Sequence, residues 1–428
     1  MLTPRSLFMN QYKAYPQYKN SGIEWLNEIP EYWEVKKLKY SARIQGGKDQ
    51  KAVLDDNGIY PVYGSGGIFG YANQYLYNGE SVLLGRKGTV NKPLYVNDKF
   101  WTVDTMYYTI LEQTANAKWL YYATTTIRFD YYQYGSAVPS MTQEDLHNIH
   151  FATPIQEEQQ TIANYLDKAT AKIDTLIEKQ TKLIELLKEK RQAVISTAVT
   201  RGLDSSVPMK DSGVEWLGEI PEHWTRTPLR YIGRLQNGIS KGGDYFGSGF
   251  PFVNYGDIYK NATLPQQVSG LAKSTKEDQH VYSVKVGDVF FTRTSETIDD
   301  IGMASTCIET IEKGTFSGFT IRFRQLAQTL DEHFSKYYFR TGHSQAFFEE
   351  HLNLVTRASL GQDILKQLSV LIPPFGEQKE IAQFLDIKTT TIDSLVLKAT
   401  RSIELLKEKR TALISAVVTG KIDVRETA

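Results

Sequence analysis

Two long segments of the chain, about Gln156 to Thr200 and about Phe375 to Thr419, carry apolar residues that recur every seven positions. A heptad repeat of this kind predicts an α-helix with one apolar stripe along its length. Each helix would be about 45 residues, or roughly 65–70 Å, long. The residues placed in the stripes are Leu166, Ile173, Leu176, Leu183 and Leu187 in the first helix, where Ile177 and Ile184 widen the stripe, and Leu385, Ile392, Leu395, Leu406 and Leu413 in the second.

The ends of both helices are marked in the sequence. Pro154 and Pro373 stand where each helix would begin, and Gly202 and Gly420 follow the last periodic residue. Proline suits a helix start, and glycine suits the position just past a helix end. A lone helix with one apolar stripe needs a partner. We expect the two helices to pair as an antiparallel coiled coil, the alternative being that each packs on its neighbouring domain.

The regions before the two helices are related by duplication. Ser21–Trp33 and Ser212–Trp224 share ten of thirteen residues, and the eight residues from Ile184 to Arg191 recur unchanged from Ile403 to Arg410. The segments inside this repeated frame, residues 34–153 (the first insert) and 225–372 (the second insert), share almost no sequence. A duplicated frame around two unlike inserts indicates a two-fold object that recognises two different things.

The inserts are rich in β-branched and aromatic residues, in short alternating runs separated by glycine turns, which is typical of strands. The fold class predicted is therefore α+β: two domains of twisted mixed sheets with helices, joined by two long antiparallel coiled-coil helices in a pseudo-two-fold arrangement. The predicted boundaries are 1–153, 154–204, 205–372 and 373–428.

Composition adds few constraints. The chain has 428 residues, 41% of them hydrophobic, and 49 basic against 49 acidic residues, so its formal charge of zero neither indicates nor excludes nucleic-acid binding. No apolar run is long enough to span a bilayer. The single Cys307 excludes an internal disulfide and fits the cytoplasm. No secretory signal is expected at the N-terminus, and Met9 is an alternative start.

Familiar catalytic and cofactor motifs are missing from the sequence. The glycines from Gly64 to Gly70 lack the spacing of a nucleotide cradle, and the seven histidines have no metal-ligand spacing. Ile372–Phe375 has an Ile-Pro-Pro-Phe sequence that is best explained as a helix entry. We therefore expect no catalytic residues and no metal or cofactor bound by this chain.

A polar loop follows an apolar run in both inserts, one at Gly85–Thr89 and one at Thr292–Ser295. Arginine can read guanine through two hydrogen bonds, whereas hydroxyl groups and lysine can hold phosphate, although a solvated turn would look the same. Tyr63–Gly67 and Phe252–Ile258 are further candidates, or tight turns. The candidate DNA contacts are Tyr63, Ser65, Arg86, Lys87, Thr89, Asn254, Tyr255, Arg293, Thr294 and Ser295.

The repeated frame resembles that of the specificity subunits of Type I restriction–modification systems. The resemblance rests on Trp-Leu-x-Glu-Ile-Pro-x-x-Trp, then Pro-x-x-x-Glu-Gln, then Leu-Leu-Lys-Glu-Lys-Arg. These stand at Trp25–Trp33, Pro154–Gln159 and Leu186–Arg191, and again at Trp216–Trp224, Pro373–Gln378 and Leu405–Arg410.

This resemblance implies a function and a set of partners. Each insert would be a target recognition domain that reads one half of a bipartite DNA site, and the frame would dock two modification (methyltransferase) subunits and restriction subunits. S-adenosylmethionine, ATP and Mg would be bound by those partner chains. Rival interpretations are a stand-alone two-domain DNA-binding regulator and a carbohydrate-binding scaffold, the latter because 26 tyrosines could stack on sugars.

Two further expectations concern the tryptophans and the DNA. Because Trp25, Trp33, Trp216 and Trp224 belong to the frame, we expect them in its core or at its docking surface and not stacked on bases. Half-site centres should lie about one helical turn, roughly 34–36 Å, apart.

Overall fold

The computed structural model describes residues 12–129, 139–214, 217–295, 300–352 and 358–426. The chain divides into two compact units, residues 1–181 with 400–428 (unit 1) and residues 182–399 (unit 2). Each unit contains one insert, one copy of the frame and part of each long helix. Trp216 lies outside the described residues.

The elements of residues 1–201 begin with short frame strands and continue into the first insert. The strands are β1 (Tyr18–Asn20), β2 (Glu28–Pro30), β3 (Glu34–Lys37), β4 (Ala42–Gly46), β5 (Tyr60–Gly64), β6 (Gly67–Ala72), β7 (Tyr77–Gly85), β8 (Leu94–Thr102), β9 (Met106–Leu111) and β10 (His150–Thr153). The helices are α1 (Ala117–Thr124), α2 (Gln143–Asn148) and the long α3 (Gln156–Arg201), with a 3-10 turn at Leu38–Tyr40.

The first insert leaves and re-enters the frame at one point. β3 pairs antiparallel with β10, so that Glu34 lies opposite Thr153. Between them the insert forms a six-stranded sheet in the order β4-β9-β7-β8-β5-β6, in which only the contact of β5 with β8 is parallel. The mixed sheet predicted for this insert is confirmed.

The core of unit 1 joins the insert to the frame and the helices. One cluster of buried residues includes Trp33 from the frame, Trp119 from α1, Leu166 from α3 and Val417 from the second long helix. The end of the chain also contributes, because the Asp423 N–H donates to the carbonyl of Lys13 at 2.8 Å. The frame of unit 1 is therefore built from both ends of the described chain.

The remaining elements follow the same plan. The strands are β11 (Met209–Asp211), β12 (Glu219–Pro221), β13 (Thr225–Pro228), β14 (Gly233–Asn237), β15 (Phe246–Val253), β16 (Leu271–Ala272), β17 (Val289–Thr292), β18 (Thr294–Ser295), β19 (Ala304–Thr306), β20 (Thr315–Phe316), β21 (Thr320–Gln325), β22 (Ala358–Ser359) and β23 (Ser369–Ile372). The helices are α4 (Leu229–Ile232), α5 (Tyr255–Lys260), α6 (Lys276–Val281), α7 (Glu332–Tyr338), α8 (Gly342–His351), α9 (Gln362–Leu365) and the long α10 (Phe375–Val418), with a 3-10 turn at Gly243–Tyr245.

The second insert also leaves and re-enters its frame at one point, with Thr225 of β13 opposite Ile372 of β23. Its strands form a four-stranded sheet in the order β14-β21-β17-β19 and a three-stranded sheet in the order β16-β15-β20. The contact of β15 with β20 is parallel, as is that of β5 with β8 in the first insert. The inserts therefore share a structural plan that their sequences do not reveal.

The two long helices match the prediction from the heptad repeat. α3 has 46 residues and α10 has 44, and Gly202 and Gly420 follow them with φ of 75° and 73°. A positive φ favours glycine because it has no Cβ, which explains why each helix ends there.

The predicted apolar stripe is partly wrong. Leu176, Leu183 and Leu395 are 47%, 43% and 44% exposed, so they do not belong to the buried seam. The buried and half-buried positions of α3 alternate at spacings of four and three: Ile173, Ile177, Gln180, Ile184, Leu187, Arg191 and Val194. Those of α10 are Ile392, Val396, Ala399, Ile403, Leu406, Arg410 and Leu413.

One row of the predicted stripe is observed, since Ile173, Leu187, Ile392, Leu406 and Leu413 are buried or half-buried, as are Ile177 and Ile184, which widen the stripe. The buried seam lies on that side of the stripe and excludes Leu176 and Leu183. The seam also includes the half-buried Arg410, which pairs with Asp174 of α3 at 2.9 Å, within unit 1. In unit 2, Arg191 of α3 pairs with Asp393 of α10 at the same distance. The apolar spacing accommodates Leu176 or Ile177 beside the shared row, and these charge pairs accompany the seam that is observed.

The helices run antiparallel within each unit. In unit 1, Trp33 contacts both Glu158 at the start of α3 and Gly420 just past the end of α10, while Asp174 and Arg410 meet further along. In unit 2 the start of α10 likewise lies at the end of α3, where Glu377 is close to Gly202. The predicted antiparallel pairing is confirmed. None of the helices among the described residues is long and apolar enough to cross a bilayer.

Candidate nucleic-acid interface

Arg86 lies on the loop after β7, and hydrogen bonds hold its backbone on both sides. Its N–H donates to the Thr105 carbonyl at 2.8 Å, and its own carbonyl accepts the Met141 N–H at 2.9 Å. The exposed side chain lies 6.0 Å from the centre of the Tyr107 ring, and Nη1 donates to the Asp104 carbonyl at 3.2 Å. Among the described residues no carboxylate pairs with Arg86, so its charge remains available to a ligand.

The tip of the β5–β6 hairpin touches this loop. A Cβ added at Gly88 would lie 2.9 Å from Ser65 Oγ, so the two segments are in contact. Lys87 is exposed on the same loop, and Thr89 is half-buried. The structure therefore brings together the two candidate regions of the first insert, although Ser65 and Gly88 are 23 residues apart in the sequence.

Tyr63 is anchored below that tip. Its carbonyl accepts the Val103 N–H at 3.1 Å, and its ring packs edge-on against Phe100 at 6.1 Å between centroids. Burial, followed by the charge of Asp98, raises the pKa of its phenol. Tyr63 thus holds the hairpin in place through its ring and its backbone.

Arg293 lies on the corresponding loop of the second insert, after β17. Its N–H donates to the Phe319 carbonyl at 3.0 Å, and its carbonyl accepts the Leu360 N–H at 2.7 Å. Thr294 and Ser295 form β18, which pairs with β22. Ser295 is only 9% exposed, whereas Arg293 and Thr294 are half-exposed. Of the three candidates on this loop, Arg293 and Thr294 present the accessible side chains.

Asn254 and Tyr255 stand at the start of α5. The Asn254 N–H donates to the Asp257 carboxylate at 2.8 Å, as expected of a residue that precedes a helix. The Tyr255 ring stacks on Tyr259 with centroids 5.9 Å apart. Both residues therefore stabilise the turn into α5, the tight-turn alternative that the sequence left open.

Matching hydrogen bonds hold the two arginine loops. In each insert the arginine N–H donates to the residue just before a strand, which is Thr105 before β9 or Phe319 before β21. In each insert the arginine carbonyl accepts an N–H from the segment that leads into α2 or α9. Arg86 and Arg293 therefore occupy the same position in two domains of unrelated sequence.

The strands beneath these loops also correspond. The Val103 N–H donates to Tyr63 at 3.1 Å, and the Ser317 N–H donates to Val253 at 3.0 Å. In each insert the acceptor is the last residue of the parallel pairing on one strand, and the donor is the residue that follows the other strand. Counted from these bonds, Ser65 corresponds to Tyr255.

A glycine completes the shared framework, because another segment of backbone passes close to it. Gly47 follows β4 and Gly238 follows β14. A Cβ at Gly47 would lie 2.0 Å from the Val103 carbonyl oxygen, and one at Gly238 would lie 2.3 Å from that of Phe316. Any larger residue would push the loops apart. Sequence reasoning missed this framework, including Thr105 and Phe319, because its bonds join segments distant in the chain.

A buried carboxylate holds the frame of unit 1. Glu158, 5% exposed, accepts hydrogen bonds from Trp33 Nε1 at 3.1 Å, Tyr15 OH at 2.8 Å and Tyr32 OH at 3.2 Å. Burial, followed by the Glu158 charge, raises the pKa of Tyr15, and raises that of Tyr32 to about 12. Arg425 lies 5.0 Å from the centre of the Tyr15 ring. The first Pro-x-x-x-Glu-Gln motif thus supplies the acceptor of this network.

Unit 2 repeats the arrangement with fewer donors. Glu377 accepts from Trp224 Nε1 at 3.1 Å and contacts His223 Nε2 at 2.9 Å. Trp33 and Trp224 are both fully buried, so they are core residues of the frame, as predicted. Trp25 packs against the core of unit 1.

The glutamine of each motif ties the insert to the long helix. Gln159 accepts the N–H of Asn116, the residue before α1, at 2.8 Å, and Gln378 accepts that of Asp331, the residue before α7, also at 2.8 Å. Each glutamine side chain also donates to the proline carbonyl that begins its own motif. Each insert is thereby fixed to its long helix. Among the described residues, no group of three or more His, Cys, Asp and Glu side chains is placed to hold a metal ion.

Known proteins resemble this chain in sequence. The family model described as the Type I restriction modification DNA specificity domain matches residues 30–186 and 232–405. The MjaVIII specificity subunit of Methanocaldococcus jannaschii is 21% identical over 95% of this chain and 97% of its own length. The StySPI specificity subunit of Salmonella potsdam is 22% identical over 67% of this chain, which spans 61% of that protein.

Solved structures share the fold. A chain from a type I R-M system, studied for its complex assembly and conformational transition, covers 92% of this chain and 99% of its own with a TM-score of 0.65 and 15% identity. The HsdS subunit from Thermoanaerobacter tengcongensis gives a TM-score of 0.54 at 13% identity, over 92% of this chain and 98% of its own. With the family model matching both copies, the chain belongs to the family of Type I restriction–modification DNA specificity subunits.

Proposed function

We propose that this chain is the non-catalytic specificity subunit of a Type I restriction–modification complex. Each insert reads one half of an asymmetric bipartite DNA site, with half-site centres about one helical turn, roughly 34–36 Å, apart. The observation that carries the proposal is the shared loop framework, which presents an exposed or half-exposed arginine in two domains whose neighbouring side chains differ. Different side chains on a common framework would allow the two inserts to read two different half-sites.

Docking of two modification subunits is the second part of the proposal. Leu176 and Leu405 of unit 1 are 47% and 50% exposed, and their repeat equivalents in unit 2, Leu395 and Leu186, are 44% and 50% exposed. These leucines lie outside the buried seam, although leucine gains roughly 1.5–3 kcal/mol from burial. Matched apolar residues on both units favour a partner that binds twice.

Catalysis belongs to the partners in this proposal. The modification subunits would bind S-adenosylmethionine, and the restriction subunits would bind ATP and Mg. The chain itself would work in the cytoplasm and would contribute DNA recognition and assembly.

The DNA part of the proposal is tested by exchange of the first insert. Methylated adenines are mapped genome-wide in a host that carries the complex, before and after residues 34–153 are replaced by the insert of a relative. We expect one half of the methylated sequence to change and the other half to stay. A target that stays unchanged in both halves would contradict the modular function.

The docking part is tested by native mass measurement at saturating modification subunit. The wild-type chain should bind two copies. Leu176→Glu with Leu405→Glu should reduce this to one copy, and the matched change of Leu395 and Leu186 should do the same. Two bound copies in both variants would exclude these leucines from the docking surface.

The regulator alternative is tested by gel shift. A stand-alone regulator would bind its DNA site equally well without modification subunits, whereas we expect tight binding only in the complex.

The carbohydrate alternative has little support from the tyrosines, because several of them pack against other rings, such as Tyr77 against Phe100 and Tyr108.

A further inference from the structure

Arg86 and Arg293 occupy the same position in the two inserts, and this helps to distinguish residues suited to DNA phosphate from residues suited to bases. Both arginines are held by the same backbone hydrogen bonds, in inserts of unrelated sequence. What two unlike half-sites have in common is the phosphate backbone, whereas base edges differ between them. An arginine at the same position in both domains is therefore suited to binding phosphate. The neighbouring residues, which differ between the domains, are suited to reading bases.

Charge supports this division of roles. Among the described residues, neither arginine pairs with a carboxylate, and the one hydrogen bond of the Arg86 guanidinium goes to a backbone carbonyl. An uncompensated guanidinium is well suited to an anionic phosphate oxygen. Each such contact releases counterions, so it contributes to the salt dependence of binding.

Phe319 is an exposed aromatic side chain next to this position. It is 66% exposed, and its carbonyl accepts the Arg293 N–H at 3.0 Å. In the first insert the equivalent residue is Thr105, which is half-buried and polar. The two inserts therefore differ in size and polarity at the residue that touches the shared arginine.

The backbone around Phe319 is rigidly held although its ring is exposed. Its N–H donates to Ser317 Oγ at 3.3 Å, and the Gly318 N–H donates to the Ile239 carbonyl at 2.8 Å. Thr320 Oγ1 donates to the Ser317 carbonyl at 2.7 Å. A ring presented on a fixed backbone loses little conformational entropy when a ligand covers it.

We propose that Arg86 and Arg293 each hold a DNA phosphate in their own half-site, and that Phe319 is a specificity determinant that contacts the methyl group of a thymine in the second half-site. Apolar contact with the thymine methyl group is a recognised way of reading the major groove. The inference rests on the proposed function, since it requires that the second insert binds DNA.

The experiment measures the affinity of the intact complex with its modification subunits at several salt concentrations. The DNA probes are the cognate duplex, duplexes with one half-site scrambled, and unrelated DNA. Arg293→Ala should weaken binding to all probes and lower the salt slope by about one unit. Phe319→Ala should weaken binding roughly 5- to 10-fold on DNA with an intact second half-site, and leave the other probes and the salt slope unchanged.

Replacing single thymines of the second half-site by deoxyuridine removes only the methyl group. At one position the wild-type complex should lose as much affinity as Phe319→Ala loses, and the variant should lose nothing further. Leu326→Ala is the matched control, because Leu326 is 61% exposed in the same insert and lies outside the loop framework. It should behave as wild type on every probe.

Three results would overturn the inference: an unchanged affinity of Phe319→Ala for cognate DNA, an equal loss on all probes, or a loss by Arg293→Ala that is confined to the cognate sequence. A wild-type complex that shows no preference for any bipartite sequence would instead contradict the proposed function.

Discussion

Replacement of Glu158 by alanine should destabilise unit 1 selectively. This carboxylate accepts hydrogen bonds from Trp33, Tyr15 and Tyr32. Trp33 is 0% and Tyr15 is 3% exposed, whereas Tyr32 is 45% exposed and can bond to water instead. The substitution therefore leaves two buried donors without an acceptor.

The expected loss follows from these exposures. A hydrogen bond to a charged group is worth about 1.5–3 kcal/mol, and a donor left buried and unpaired loses a similar amount. Because two such donors are affected, Glu158→Ala should lower the free energy of unfolding of unit 1 by about 3–6 kcal/mol. Glu377→Ala should cost unit 2 less, about 1.5–3 kcal/mol, because among the described residues Trp224 is its only buried donor and His223 is 43% exposed.

Hydrogen exchange followed by mass spectrometry measures the two units separately. Glu158→Ala should reduce the protection of β1 to β3 and leave β11 to β13 unchanged, and Glu377→Ala should show the opposite pattern. Glu157→Ala is the control, since Glu157 is exposed in the same helical turn. A loss below about 1 kcal/mol for Glu158→Ala, or an equal loss in both units, would refute the role assigned to this carboxylate.

The remaining predictions concern the paired helices and are measured as urea unfolding midpoints. Leu187→Asp should lower the free energy of unfolding by at least about 3 kcal/mol, because it places a charge in a site that is 9% exposed. Leu186→Asp, at 50% exposure, should lower it by under about 1 kcal/mol. Equal losses would contradict the assignment of Leu187 to the buried seam. Ile177→Asp should likewise be far more damaging than Leu176→Asp, and the reverse order would place Leu176 in the seam. Arg410→Ala should cost only about 0–1 kcal/mol, since its ion pair is partly exposed, and a much larger loss would show that this pair is a main support of the seam.

The repeated motifs show how much of the frame can be predicted from local sequence. Proline at the start, glutamate and glutamine one turn later, and tryptophan upstream stand at fixed spacings, so the duplication was visible without a structure. The bounds of α3 and α10 were predictable for the same reason, because heptad period, entry proline and terminal glycine all act within one helix. Only the fold shows what the motif does: it places Glu158 against Trp33 and Gln159 against Asn116.

Tertiary contacts decided which of the predicted stripe residues form the buried seam. Leu176 and Ile177 are neighbours in the sequence, and either could serve the heptad repeat. In the structure Ile177 is half-buried and Leu176 is exposed, and Arg410 pairs with Asp174 beside them.

The candidate arginines could be found in the sequence, but their equivalence could not. Arg86 is placed by bonds to Thr105 and Met141, and Arg293 by bonds to Phe319 and Leu360, so each loop depends on segments that lie 19 or more residues away. Local periodicity determines helices and strands because their hydrogen bonds are local. The position of the arginine loops, by contrast, is determined by backbone hydrogen bonds between distant segments. The same backbone bonds can form whatever side chains lie around them, so the sequence does not reveal them.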